Sequence, residues 1–144
     1  MLLNISPLIS AELLKLLCEM GHGDEMVIVD ANYPAASSRA THVVDAKGIS
    51  SDDLLDAILS ILPVDTYVEK PFKIMKVVEG DSTVPVVWDS YYDTLEKHGY
   101  KKNQIEFIER HEYYKQCDKM YCLISSGEQK LYGNISVRKG VIPG

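Results

Sequence analysis

The chain has 144 residues, 46% of them hydrophobic and 25% charged, with a formal net charge of -6 from 15 Lys and Arg against 21 Asp and Glu. That length and balance fit one globular domain over residues 1–144 and exclude a disordered or fibrous chain. No Lys/Arg cluster is present to neutralise phosphates, which excludes nucleic acid as a partner. No stretch approaches the roughly 20 apolar residues of a membrane helix, so no membrane partner is expected either.

Ser6 or Ser10 can cap a first helix, in which Leu13, Leu14, Leu17 and Cys18 recur at helical spacing until Gly21 stops it. Met26 to Val29 is an unbroken apolar run ending at Asp30, the pattern of a strand covered on both faces. Asn32-Tyr33-Pro34 is loop chemistry, and Thr41 to Val44 reads as a second strand. Ser50 or Ser51 caps the next helix, with Asp52 and Asp53 at its positive end. Its stripe of Leu54, Leu55, Ile58, Leu59 and Leu62 ends at Pro63. Phe72 to Val78 reads as a strand, and Pro85 opens a helix that runs to Gly99. Ile105 to Ile108 is a strand, His111 to Gln116 a short helix, Met120 to Ser125 a strand, and Asn134 to Val137 the last strand. Strands alternating with helices predict an α/β domain, a single layered unit with a central, largely parallel sheet flanked by helices.

The sequence has no G-x-G-x-x-G, no P-loop and no nucleophile elbow, and its four histidines, at 22, 42, 98 and 111, are scattered. No metal and no cofactor are therefore expected. Three cysteines, Cys18, Cys117 and Cys122, are too few and too odd in number for a disulfide scaffold. They point to a reducing cytoplasm, as does an N-terminus without a basic, cleavable leader.

Parallel sheets gather ligands at the carboxyl ends of their strands, where Asp30 stands. His22 lies between Gly21 and Gly23 just after a helix, and histidine is the side chain suited to exchanging protons near neutral pH. Asp65 sits in a loop after Leu62-Pro63-Val64. Arg110, His111, Tyr113 and Tyr114 follow a strand, and Tyr132-Gly133-Asn134 opens the last one. Each of these has an ordinary reading as a cap, a turn or an exposed helix face.

Taken together, the motifs resemble the fucose mutarotase and ribose pyranase family, and its fucose branch in particular. They are Ile5-Ser6-Pro7 with Leu13-Leu14, Met20-Gly21-His22-Gly23-Asp24-Glu25, Asp30 with Tyr33-Pro34-Ala35, and Leu62-Pro63-Val64-Asp65-Thr66-Tyr67-Val68. Further along come Glu109-Arg110 with Tyr113-Tyr114, Gly127-Glu128, Leu131-Tyr132-Gly133-Asn134 and Arg138-Lys139-Gly140-Val141. The resemblance implies a cofactor-independent isomerase that interconverts the α and β anomers of L-fucose. It implies His22 as the proton-transfer residue and Asp30, Asp65, Arg110, Tyr114, Tyr132 and Asn134 as residues that hold the sugar. It also implies a homo-oligomer, often a decamer, with sites near subunit contacts. Ribose-type relatives carry histidine in the region of Arg110; this chain has Arg110 and His111 side by side. The alternatives are a ribose-type pyranase, a broad sugar mutarotase and a non-catalytic sugar-binding module.

These residue types suit the chemistry. Mutarotation removes a proton from the anomeric hydroxyl and delivers one to the ring oxygen, and an imidazole, which titrates near 6.5 in ordinary surroundings, is fit for that exchange. Arg110 offers fixed donors and Asp30 and Asp65 offer acceptors for hydroxyls, while Tyr114 or Tyr132 could donate to the ring oxygen.

Overall fold

The apolar run before Asp30 forms β1 (Glu25–Val29) in the computed structural model, which describes residues 1–144. Met26, Val27, Ile28 and Val29 are all fully buried, so both faces of the strand are covered. Their alternation sorts the two layers. Met26 and Ile28 join the larger core beneath α1 (Ala11–Glu19), α2 (Ser51–Leu59) and α3 (Val87–Lys97). Val27 and Val29 face the smaller core under α4 (Arg110–Cys117), with Tyr113, Cys117 and Leu123. The helix starts follow the capping chemistry: Ser10 accepts from the Leu13 N–H at 3.1 Å, and Ser50 accepts from the Asp53 N–H at 3.2 Å.

The other strands are β2 (His42–Ala46), β3 (Phe72–Met75), β4 (Ile105–Ile108), β5 (Cys122–Ser126) and β6 (Ile135–Arg138), and the six align as β2-β5-β1-β6-β3-β4. β2, β5 and β1 run parallel, as do β3 and β4; β6 is antiparallel to both of its neighbours, β1 and β3. The sheet is thus largely parallel with one reversed strand near its centre. No helix is long and apolar enough to cross a membrane.

This topology decides which residues meet. The carboxyl ends of β1, β3 and β4, the amino end of the reversed β6 and the first turn of α4 all come to one edge of the sheet. The residues before β1 and after β6 come to the other.

Candidate functional site

At the first edge lies an open cleft of about 180 Å³. Asp30, Arg110, Tyr114, Tyr132 and Asn134 line it, five of the seven site residues expected from the sequence. Met75, Val78 and Leu131 add an apolar wall.

Each polar group is held by its local backbone. Asp30 follows the last residue of β1 and accepts from the Asn32 N–H at 3.0 Å, while its own N–H donates to Asn134 Oδ1 at 2.9 Å. Burial raises the Asp30 carboxyl above its ordinary range, against the N–H groups of Asn32, Gly133 and Tyr33 and the Asn134 side chain, which pull it down. Arg110 is fixed by the cap beneath it: the Glu109 carboxylate accepts from the N–H groups of His111 and Glu112. The Arg110 guanidinium lies 5.6 Å from the centre of the Tyr114 ring, four residues on, and Tyr114 in turn leans on Tyr33 at 5.2 Å. His111 is exposed and does not line the cleft, so of the adjacent Arg110 and His111 only the arginine faces it.

Tyr132 is the strained member, with φ of 60° in the left-handed region. Three bonds hold it there. Its hydroxyl donates to Asp81 and accepts from the Val78 N–H at 3.2 Å, and its carbonyl accepts from Trp88 Nε1 at 3.0 Å. The bond to Asp81, with burial second, pushes the phenol up. Because the Tyr132 proton is committed to Asp81 and the Tyr33 hydroxyl pairs with Cys117, Tyr114 is the phenol of the cleft left free to donate. Asp81 and Trp88 were invisible in the sequence: an aspartate in a Gly-Asp-Ser-Thr loop reads as a solvated turn, and the tryptophan acts through its N–H on a backbone far along the chain.

His22 and Asp65 are at the opposite edge. Glu25 and Asp30 already stand roughly 15 Å apart at about 3.3 Å per strand residue, and His22 lies three residues further back. The two form a couple of their own. His22 Nε2 is 3.1 Å from Asp65 Oδ1, Arg138 Nε donates to Asp65 Oδ2 at 2.8 Å, and the Tyr67 N–H donates to Oδ1 at 3.0 Å. Asp65, expected among the groups that hold sugar, therefore has both oxygens taken and a side chain only 1% exposed; its geometry suits orienting the imidazole. A carboxylate only accepts, so Nε2 carries the hydrogen and Nδ1 is the free nitrogen. Gly23, at φ 86°, brings the backbone against Arg138, where a Cβ would stand 3.0 Å from Nη2. The His22 ring packs on Tyr67 at 5.1 Å, and both are open to solvent, at 43% and 75% exposure.

Burial would raise the Asp65 carboxyl, but the Tyr67 N–H, Arg138 and His22 outweigh it and hold it at about 2 against an ordinary 3.8. A depressed folded-state pKa contributes stability that is complete above the unfolded value and fades as the pH falls through the folded one. Asp65→Asn is accordingly expected to melt below wild type at pH 7. The difference should narrow between about pH 4 and pH 2; a gap unchanged across that window in thermal melts contradicts the assignment.

The model of the family described as "RbsD / FucU transport protein family" matches residues 3–142. An L-fucose mutarotase of Haemophilus influenzae (strain PittGG) is 45% identical over 144 residues, covering 99% of each chain. An L-fucose mutarotase of Histophilus somni (strain 2336) is 42% identical over 143 residues, again 99% of each. Among solved structures, the fucose mutarotase of Streptococcus pneumoniae in complex with L-fucose matches with a TM-score of 0.94 at 42% identity, over 99% of this chain and 100% of that one. Bacillus subtilis RbsD complexed with D-ribose matches at 0.72 with 19% identity, over 99% of this chain and 100% of that one, a likeness of fold.

Proposed function

From the premise that this chain belongs to the RbsD / FucU transport protein family, we propose that it is an L-fucose mutarotase. The observation that carries the reading is full-length identity of 45% with an L-fucose mutarotase, and the cleft agrees with it. A 6-deoxy sugar offers hydroxyls on most of its carbons and a methyl on one. The cleft offers Asp30, Arg110 and Asn134 on one side and Met75, Val78 and Leu131 on the other.

The reaction needs a proton taken from the anomeric hydroxyl and another given to the ring oxygen as the C1–O5 bond breaks. The product is the open aldehyde, which turns about C1–C2 and recloses on its other face, returning both protons. Asp30 accepts from sugar hydroxyls, the Asn134 amide and Arg110 donate to them, and Tyr114 is the free phenol at the ring oxygen. His22 Nδ1 is the proton carrier, set by Asp65 and, behind it, Arg138.

Because β1 keeps His22 from the cleft of its own chain, the complete site is built from two copies: one presents the cleft, and its neighbour presents His22, Asp65 and Tyr67. Their exposed ring pair is a surface for a second copy to cover. The oligomer we infer is the decamer, in the cytoplasm, where the free thiols Cys18, Cys117 and Cys122 stay reduced.

Proton exchange spectroscopy between the α and β anomeric signals tests the reading. Enzyme should accelerate exchange for L-fucose above D-ribose. Equal rates would indicate a broad mutarotase, and no acceleration by folded protein would leave a sugar-binding module.

A further inference from the structure

Glu128 lies just past β5, outside the cleft, with 4% exposure. A buried carboxylate is costly unless every oxygen is satisfied, and stability alone is commonly served as well or better by an apolar side chain there. This one is satisfied with care. Ser51 Oγ donates to Oε2 at 3.0 Å and also meets the Tyr91 hydroxyl at 2.6 Å. The Lys130 N–H donates to Oε1 at 2.9 Å, with the Lys130 ammonium 3.6 Å away. Ser51 and Tyr91 are both fully buried, on α2 and α3, so α2 holds the carboxylate directly and α3 holds it through Ser51.

The other end of Glu128 reaches the sugar-holding residues. Its carbonyl accepts from the Ala31 N–H at 2.8 Å, directly after Asp30. Its Cγ lies where Gly133 passes: a Cβ on Gly133 would stand 2.7 Å from Glu128 Cγ and 3.4 Å from Asp30 Cβ. Gly133 joins the strained Tyr132 to Asn134, both of which line the cleft.

We propose that Glu128 is the positioning residue of the sugar cleft, its buried carboxylate, clamped by Ser51 and Lys130, setting where Tyr132, Gly133 and Asn134 stand over Asp30. The proposal rests on the cleft being the sugar site. A residue that holds binding groups in place acts on substrate affinity, since it leaves the proton carrier at the other edge untouched.

The test measures KM and kcat for L-fucose anomeric exchange, together with emission from Trp88, the chain's single tryptophan, whose N–H is bonded to the Tyr132 carbonyl. Glu128→Ala should raise KM about tenfold with kcat within about threefold, and should shift Trp88 emission in sugar-free protein with the far-ultraviolet dichroism unchanged. Glu128→Gln should bring KM back to within about threefold of wild type, since an amide can accept from Lys130 and donate to Ser51, whose hydroxyl then turns to Tyr91. Should Glu128→Ala fail to fold, Ser51→Ala removes one clamp and should raise KM about threefold with the same Trp88 shift. Unchanged KM and Trp88 emission in the Ala variants overturn the proposal, as does a loss confined to kcat. If wild type itself does not act on fucose, the function reading fails, and Trp88 emission in sugar-free protein still decides whether Glu128 sets the turn.

Discussion

His22→Ala is expected to fold and assemble as wild type and to lose about 10²–10⁴-fold in the rate of anomeric exchange, the contribution of a positioned acid–base group. The fold should tolerate the change because the ring is 43% exposed and its contacts are few, the Asp65 carboxylate and the Tyr67 ring. Asp65 keeps Arg138 and the Tyr67 N–H when the imidazole is gone, so no bare charge is left buried. KM should stay near wild type, because the groups proposed to hold sugar lie at the other edge of the sheet. Exchange spectroscopy on the variant measures the rate directly. Full activity would remove His22 from proton transfer and turn attention to Asp30, whose carboxyl burial raises within the cleft.

Much of the architecture was legible because local chemistry and tertiary packing agree. Ile105 to Ile108 is short and bounded, three apolar residues with the exposed Glu106 among them, and it is β4 to the residue. Met26 to Val29 is apolar without alternation because helices cover both faces of β1. Phe72 to Val78 was read three residues too far. After Met75 the chain leaves the sheet, and the Val78 N–H goes to the Tyr132 hydroxyl in place of a strand partner. The reversal of β6 was missed, although a signal existed: only residues 127–134 separate β5 from β6, fewer than the dozen or so a parallel crossover requires.

Site composition was more legible than site geometry. Asp30 was visible because a charge ends an apolar run, and the same edge then gathers Arg110, Tyr114, Tyr132 and Asn134. His22 precedes β1 and Asp30 follows it, so strand length alone separates the two, whereas nothing local says which end of the sheet the Asp65 loop occupies. Arg138 and Glu128 appeared only as letters in a motif. Their roles come from contacts across 73 and 77 residues of sequence, to Asp65 and Ser51, which no periodicity encodes.

That separation makes the division of labour between copies testable by mixing. Arg110→Ala is expected mainly to raise KM, since it removes fixed donors from the cleft, and His22→Ala mainly to lower kcat. Each variant alone has every site damaged. When the two are unfolded, mixed in equal amounts and reassembled, a His22→Ala subunit can present its intact cleft to the intact His22 of an Arg110→Ala neighbour. Random assembly gives about a quarter of sites both good halves if each site joins one subunit's cleft to one neighbour's histidine. The mixture should then recover about a quarter of the wild-type rate, far above either variant alone. A site closed within one chain predicts no recovery, because every chain in the mixture carries one lesion. Closing it that way would require His22 to travel the length of β1, a strand buried on both faces and hydrogen-bonded to β5 and β6, so recovery on mixing is the outcome expected of an enzyme in which His22 carries the proton.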